Sequence, residues 1–113
     1  MTYILDIDLL NVGDIVLSAQ KSLTSKSVRL GTSSEFSHVL LCVGHGSYIH
    51  ADAEGVHSRN FQRLLFTNAN YAKVLRLKEP VAAVIDEAVR FARNEVGKQY
   101  SVKEAARTIL PQQ

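Results

Sequence analysis

The sequence predicts an α+β fold in which an antiparallel sheet is flanked by helices. Two observations predict it. Short segments of apolar and β-branched residues are separated by turn-forming residues between positions 13 and 78, and a long amphipathic segment follows Pro80. The chain has 113 residues, which is the length of one domain. We therefore expect residues 1–113 to form a single domain with a modest core.

The composition excludes several classes of protein. Hydrophobic residues make up 46% and charged residues 21%, which is typical of a globular chain. The net charge is +2 and the basic residues form no run, so we expect no nucleic-acid partner. No stretch approaches the ~20 apolar residues of a membrane span. Asp6 and Asp8 occur where a signal peptide needs basic residues, so we expect a cytoplasmic protein or one exported by a signal-independent route.

Four segments have the patterns of strands. "GDIVLSA" (residues 13–19) begins after a turn, and "FSHVLLCV" (residues 36–43) is apolar on both faces, which is typical of a central strand. "GHGS" then predicts a turn, so that "YIHAD" (residues 48–52) returns as the second strand of a hairpin. "KVLRLK" (residues 73–78) alternates between two faces and predicts another strand.

Other segments have helical patterns. Residues 20–30 predict a short exposed helix, and "SRNFQRLLF" (residues 58–66) places Phe61, Leu64 and Leu65 at helical spacing. The strongest helix begins at Pro80 and ends at Gly97, which we expect to adopt a left-handed conformation. Ser101 and Glu104 form a capping box that predicts a last helix. The apolar stripe of the helix after Pro80 is predicted to contain Val81, Val84, Ile85, Ala88, Phe91 and Ala92.

Cys42, the only cysteine, is a poor candidate for a catalytic nucleophile. It lies four residues from His38 on one predicted strand, a distance of about 13 Å. A nucleophile and its base must approach within about 3 Å. A reactive thiolate also needs a positive local field, which a position between Leu41 and Val43 does not offer. We therefore interpret Cys42 as a buried core residue.

His38 and His50 are the candidate catalytic residues. They are 12 positions apart, and the midpoint is Gly44. A hairpin that pivots at Gly44 sets the two rings opposite each other on one face, as a catalytic base and its orienting partner require. The competing interpretation is that both are strand residues without a catalytic role.

The remaining histidines, His45 and His57, are interpreted as solvated loop residues. The four histidines are separated by 7, 5 and 7 positions, and these spacings do not match the paired ligands of common zinc sites. We expect neither a metal nor a cofactor. A metal-dependent hydrolase that uses the four histidines remains an alternative.

The ordered segments "GDIVL", "FSHVLLCVG", "YIHADAEGV", "VLRLK" and "VGKQYS" resemble the circularly permuted papain-like hydrolases of the NlpC superfamily. The chain is most similar to the YaeF/YiiX-like amidases and more distantly similar to the lecithin:retinol acyltransferases. The resemblance implies that His38 is the general base and that His50 is the third residue of the catalytic triad. YaeF/YiiX-like members usually have Glu at that third position, whereas the acyltransferases have His. Tyr100 would line the substrate site.

The resemblance also implies a nucleophile that this sequence does not supply. In the family, the catalytic Cys begins a helix after the "GKxY" segment, which here is "GKQYS" (residues 97–101). No cysteine follows it, so the expected fold lacks the final nucleophile-bearing helix. A second polypeptide or a C-terminal fragment beyond residue 113 would then carry the Cys, and the chain alone would be inactive. Completed in this way, it would be a thiol hydrolase or acyltransferase acting on amide or ester bonds. The alternative is a catalytically inactive interaction module on the same fold.

Overall fold

The computed structural model describes residues 1–19, 36 and 38–99. Within these residues it contains a five-stranded antiparallel sheet and one α-helix, which confirms the α+β class. The strand order is β4-β3-β2-β1-β5. No helix in the described part of the chain is long and apolar enough to cross a membrane. The strands are β1 (Ile15–Ser18), β2 (His38–Gly44), β3 (Ser47–Asp52), β4 (Gly55–Asn60) and β5 (Ala72–Leu75), and the helix is α1 (Ala82–Glu95).

The hairpin between β2 and β3 turns at His45 and Gly46, which both have positive φ, of 55° and 73°. Two successive residues with positive φ form a type I′ turn, whose twist suits a hairpin. The register is irregular between Cys42 and Gly44, where Gly44 pairs with Ser47 while Cys42 pairs with Tyr48. The centre of the hairpin therefore lies between His45 and Gly46, after the predicted centre at Gly44.

A cluster of buried apolar residues lies on one face of the sheet, called here the core face. Its buried members are Val16 from β1, Leu40 and Cys42 from β2, Tyr48 from β3, and Phe61, which follows β4. Facing pairs of an antiparallel sheet share a face, so the pairing of Val16 with Leu40 extends this apolar row across β1 and β2. The same face carries His38 and His50, since both lie at even spacings from these residues. The buried cluster and the two histidines therefore lie on the same face of the sheet.

A buried carboxylate anchors the start of β1. Asp14 is 1% exposed and accepts two hydrogen bonds from Arg76, from Nε to Oδ1 at 2.9 Å and from Nη2 to Oδ2 at 2.7 Å. The backbone N–H of Asn11 donates to the same carboxylate. These bonds lower the pKa of Asp14, because hydrogen bonding from the guanidinium outweighs the cost of burial. The bidentate pair ties the chain after β5 to the loop before β1.

Helix α1 contacts the rest of the described chain through part of its apolar stripe. Ile85 and Ala92 of the predicted stripe are partly buried, and Ile85 packs against Gly13. Val84 and Phe91 are 56% and 68% exposed, and Val81 is also exposed. The apolar stripe is present on α1, and these three residues of it are exposed in the described part of the chain. Gly97 follows the helix with φ +94°, as predicted for a left-handed C-terminal residue.

The predicted helix over residues 58–66 is also wrong. Its first residues belong to β4, which pairs with β3 along its whole length. Only Phe61–Arg63 is helical, as a single 3-10 turn capped by the side chain of Asn60. The helices predicted over residues 20–30 and after Ser101 lie outside the described residues.

Candidate active site

The β2–β3 hairpin brings His38 and His50 together on the core face of the sheet. Their ring centroids are 6.5 Å apart and their planes meet at 66°, an edge-to-face arrangement. Both side chains are partly buried. They share this face, as predicted, because the paired residues nearest to them, such as Cys42 and Tyr48, are also an even number of positions apart.

The two histidines are nevertheless not directly opposite each other. Leu41 pairs with Ile49 and Cys42 with Tyr48. Continuing this register sets His50 opposite Leu40 and His38 opposite the position of Asp52. The predicted register was wrong by two residues, because the turn lies at His45 and Gly46, after the predicted pivot at Gly44. The irregularity before Gly44 offsets only one residue of this shift. His38 and His50 are diagonal neighbours, and Asp52 occupies the position that the sequence assigned to His50.

A cleft of about 280 Å³ opens beside the two rings. Leu40, Tyr48 and Leu64 contribute apolar surface to its lining. The remaining lining includes six polar residues. They are Ser18, His38, His50, Asp52, Glu54 and Arg59. An apolar cleft with a few convergent polar groups is the usual form of a small-molecule or peptide site.

Strand β4 contributes two polar side chains that the sequence did not predict for this site. Its register sets His57 opposite His50 and Arg59 opposite Tyr48, so both lie on the core face. Arg59 Nε donates a hydrogen bond to His50 Nε2 at 3.0 Å. The ring of His57 lies 6.1 Å from that of His50. In the sequence, His57 and Arg59 alternate with Val56 and Ser58, a spacing that is typical of a strand. The interpretation of His57 as a loop residue and of residues 58–66 as a helix hid this pattern.

The carboxylate of Asp52 lies close to both His57 and Arg59. Its Oδ1 lies 3.2 Å from His57 Nε2, and its Oδ2 lies 3.7 Å from Arg59 Nη2. The same carboxylate accepts the backbone N–H of Glu54 at 2.9 Å, which fixes it at the β3–β4 turn. Asp52 was also absent from the predicted site. Its sequence signal was its position two residues after His50, which places both on one face.

The surroundings keep both candidate catalytic histidines neutral near pH 7. Burial lowers the pKa of His38, and the charge of Asp52 opposes this only in part. Burial also lowers the pKa of His50, where the positive charge of Arg59 adds to the effect and Asp52 again opposes it. A histidine can accept a proton only when it is neutral, so the site has the protonation state that a general base needs.

Cys42 does not belong to the reactive part of this face. It is 2% exposed within the core cluster. Burial raises the pKa of its thiol, so the unreactive protonated form dominates near neutral pH. The prediction that Cys42 is a core residue is confirmed.

The four histidines do not converge on a metal within the described residues. One group there has ligand atoms within 4.8 Å of one another, and it consists of Asp52, Glu54 and His57. Asp52 in that group is already engaged by its own turn and by the guanidinium of Arg59. Tyr100, predicted to line the substrate site, lies outside the described residues.

Comparison with known protein families places the chain among the permuted papain-like enzymes. The model of the family described as permuted papain-like amidase enzyme, YaeF/YiiX, C92 family, matches residues 9–107. This match covers most of the sequence, and the chain belongs to this family of permuted papain-like amidases. A comparison with curated proteins finds no significant match.

Proposed function

We propose that this chain is the base-bearing part of a thiol hydrolase that cleaves amide bonds in a peptide-like substrate. The observation that carries the proposal is the placement of His38 and His50 on one sheet face, with ring centroids 6.5 Å apart, beside a cleft. Membership of an amidase family supports the reaction class. In this proposal His38 is the general base and His50 orients it.

The nucleophile is a cysteine supplied from outside residues 1–113, by a following segment or by a second polypeptide. The sequence contains one cysteine, and that residue is buried in the core with a raised thiol pKa. A reactive cysteine at the N-terminus of a helix would have the lowered pKa that Cys42 does not have. Tyr100 remains a proposed neighbour of that cysteine.

The reaction divides into two acyl transfers. His38 removes the proton of the incoming thiol, and the thiolate forms a bond to the substrate carbonyl carbon. The C–N bond then breaks as the histidinium returns its proton to the departing amine, which leaves a thioester. His38 next removes a proton from water, and the hydroxide attacks the thioester carbonyl. The C–S bond breaks to release the carboxylic acid, and the proton returns to the sulfur. An alcohol or amine in place of water would give acyl transfer instead.

The proposal is tested by labelling the native protein with a peptide carrying a thiol-reactive electrophile and locating the label by mass spectrometry. We expect the label on a cysteine outside residues 1–113, and its yield should fall strongly in His38→Ala. Labelling of Cys42 would contradict the proposal. An unlabelled native protein that still binds peptide would favour the non-catalytic interaction module.

A further inference from the structure

We propose that Arg59 is a positioning residue that holds His50 in its neutral form with the ring proton on Nδ1. The inference rests on the proposed role of His50 as the residue that orients His38. Its basis is the hydrogen bond from Arg59 Nε to His50 Nε2, 3.0 Å long, across the β3–β4 pair.

The chemistry of the two side chains fixes the direction of this bond. A guanidinium has N–H donors and no acceptor, and it stays protonated at all ordinary pH values. His50 Nε2 must therefore offer a lone pair to Arg59, which leaves the ring proton on Nδ1. A doubly protonated His50 would set an N–H of the ring against the N–H of the guanidinium, at the cost of the hydrogen bond.

Arg59 is itself held in place by its surroundings. Its backbone is paired with Tyr48, whose ring lies 5.3 Å from that of His50. Its Nη2 lies 3.7 Å from Asp52 Oδ2, and Asp52 is fixed by the backbone of Glu54. Arg59 and its strand partner Tyr48 therefore both contact His50.

This arrangement gives His50 a single donating nitrogen. With Nε2 accepting from Arg59, only Nδ1–H remains as a hydrogen-bond donor of the His50 ring. Fixing the tautomer of a supporting histidine through its second nitrogen is a general way to orient a catalytic group. Among the residues that the structure describes, the charged and titratable groups that act on His50 or contact its ring are His38 from β2, Asp52 and Tyr48 from β3, and His57 and Arg59 from β4.

The test is a long-range ¹H–¹⁵N NMR spectrum of the histidine rings, recorded at a pH where His50 is neutral. In the wild-type protein we expect His50 Nε2 to resonate as an unprotonated nitrogen and Nδ1 as a protonated one. In Arg59→Met, which keeps the length of the side chain and removes its donors, the ratio of the two tautomers should fall by about tenfold or more. The matched control is Arg63→Met, which removes an equal charge from an exposed position four residues along the chain.

Two results would overturn the proposal. One is a wild-type His50 that is protonated on Nε2, a result that needs no variant and so does not depend on whether Arg59→Met folds. The other is an equal tautomer ratio in the wild type and in Arg59→Met. The measurement requires neither substrate nor nucleophile, so an inactive protein with the expected spectrum would count against the proposed function and leave the role of Arg59 intact.

Discussion

His38 and His50 lie as diagonal neighbours on one face of the β2–β3 hairpin, with ring centroids 6.5 Å apart. The position opposite His38 belongs instead to Asp52, two residues further along β3. The proposed base therefore has two polar neighbours on the adjacent strand, one an imidazole and one a carboxylate.

His38→Ala should lower kcat/KM of the complete enzyme by about 10²–10⁴-fold, because the general base is removed. Steady-state hydrolysis of a peptide amide substrate measures the effect. His45→Asn is the matched control, since His45 is an exposed turn residue with φ 55° and Asn tolerates that conformation. Equal activities of the two variants would remove His38 from the mechanism.

The pH dependence of kcat/KM should report the lowered pKa of His38. Activity requires the neutral base, so the acid limb of the profile should have its midpoint below the ordinary histidine value of 6.5. Asp52→Asn should move this limb to still lower pH, because the negative charge of Asp52 raises the pKa of His38. The pH–rate profiles of both proteins provide the measurement. A shift of the limb to higher pH in Asp52→Asn would contradict the electrostatic relationship.

Cys42→Ser should leave turnover nearly unchanged and lower stability. The hydroxyl would replace a thiol that is 2% exposed among apolar side chains, and burying a hydroxyl there costs about 1–3 kcal/mol. Urea unfolding and the amide assay separate the two effects. Cys42→Ala, which adds no polar group, is the control for the loss of the sulfur. Loss of turnover in both variants, with the fold intact, would restore Cys42 as a nucleophile candidate.

Asp14→Asn should lower the free energy of unfolding by about 1.5–3 kcal/mol at pH 7, because the bonds from Arg76 are then made to a neutral group. The folded-state pKa of Asp14 is lowered, so its contribution is fully present above the ordinary value of 3.8 and is lost as the pH falls through the folded pKa. Urea unfolding at pH 7 and at pH 3 should therefore give a smaller difference from the wild type at pH 3. Asp8→Asn, at an exposed position, should change stability by less than about 0.5 kcal/mol. A difference that is independent of pH would show that the carboxylate charge is not what stabilises this site.

The prediction that the two histidines share a face is correct, but the predicted register is wrong. An even separation sets two hairpin residues on one face only when the paired residues of the two strands are also an even number of positions apart. The register depends on a two-residue turn at His45 and Gly46 and on the irregularity between Cys42 and Gly44. Nothing in the local pattern predicts either feature. The register at the turn, with Gly44 opposite Ser47, would by itself set His38 opposite Ala53 and His50 on the other face. The irregularity brings Asp52 opposite His38 and returns His50 to the same face.

The contribution of β4 to the site was missed for a different reason. Phe61, Leu64 and Leu65 have helical spacing, and this spacing drew the segment before them into a predicted helix. In the structure, Gly55 begins a strand that pairs with β3 through Asn60, so tertiary pairing overrides the local pattern. Arg59 therefore reaches His50 from a strand that the sequence did not predict.

Gly55→Ala should destabilise the fold more than Gly97→Ala, although both glycines have positive φ, of 125° and 94°. A Cβ at Gly55 would lie 2.5 Å from the carbonyl oxygen of Lys98, whereas a Cβ at Gly97 would meet nothing within 4 Å. The backbone conformation alone costs about 1–3 kcal/mol at either position. The extra cost at Gly55 arises because the Lys98 carbonyl accepts the N–H of Val56 at 2.9 Å, so the chain after α1 cannot retreat without breaking that bond. Urea unfolding of the two variants measures the difference. Equal losses of stability would mean that the contact relaxes freely, and that the β3–β4 turn, which carries Asp52 into the site, is not held in place by the chain after α1.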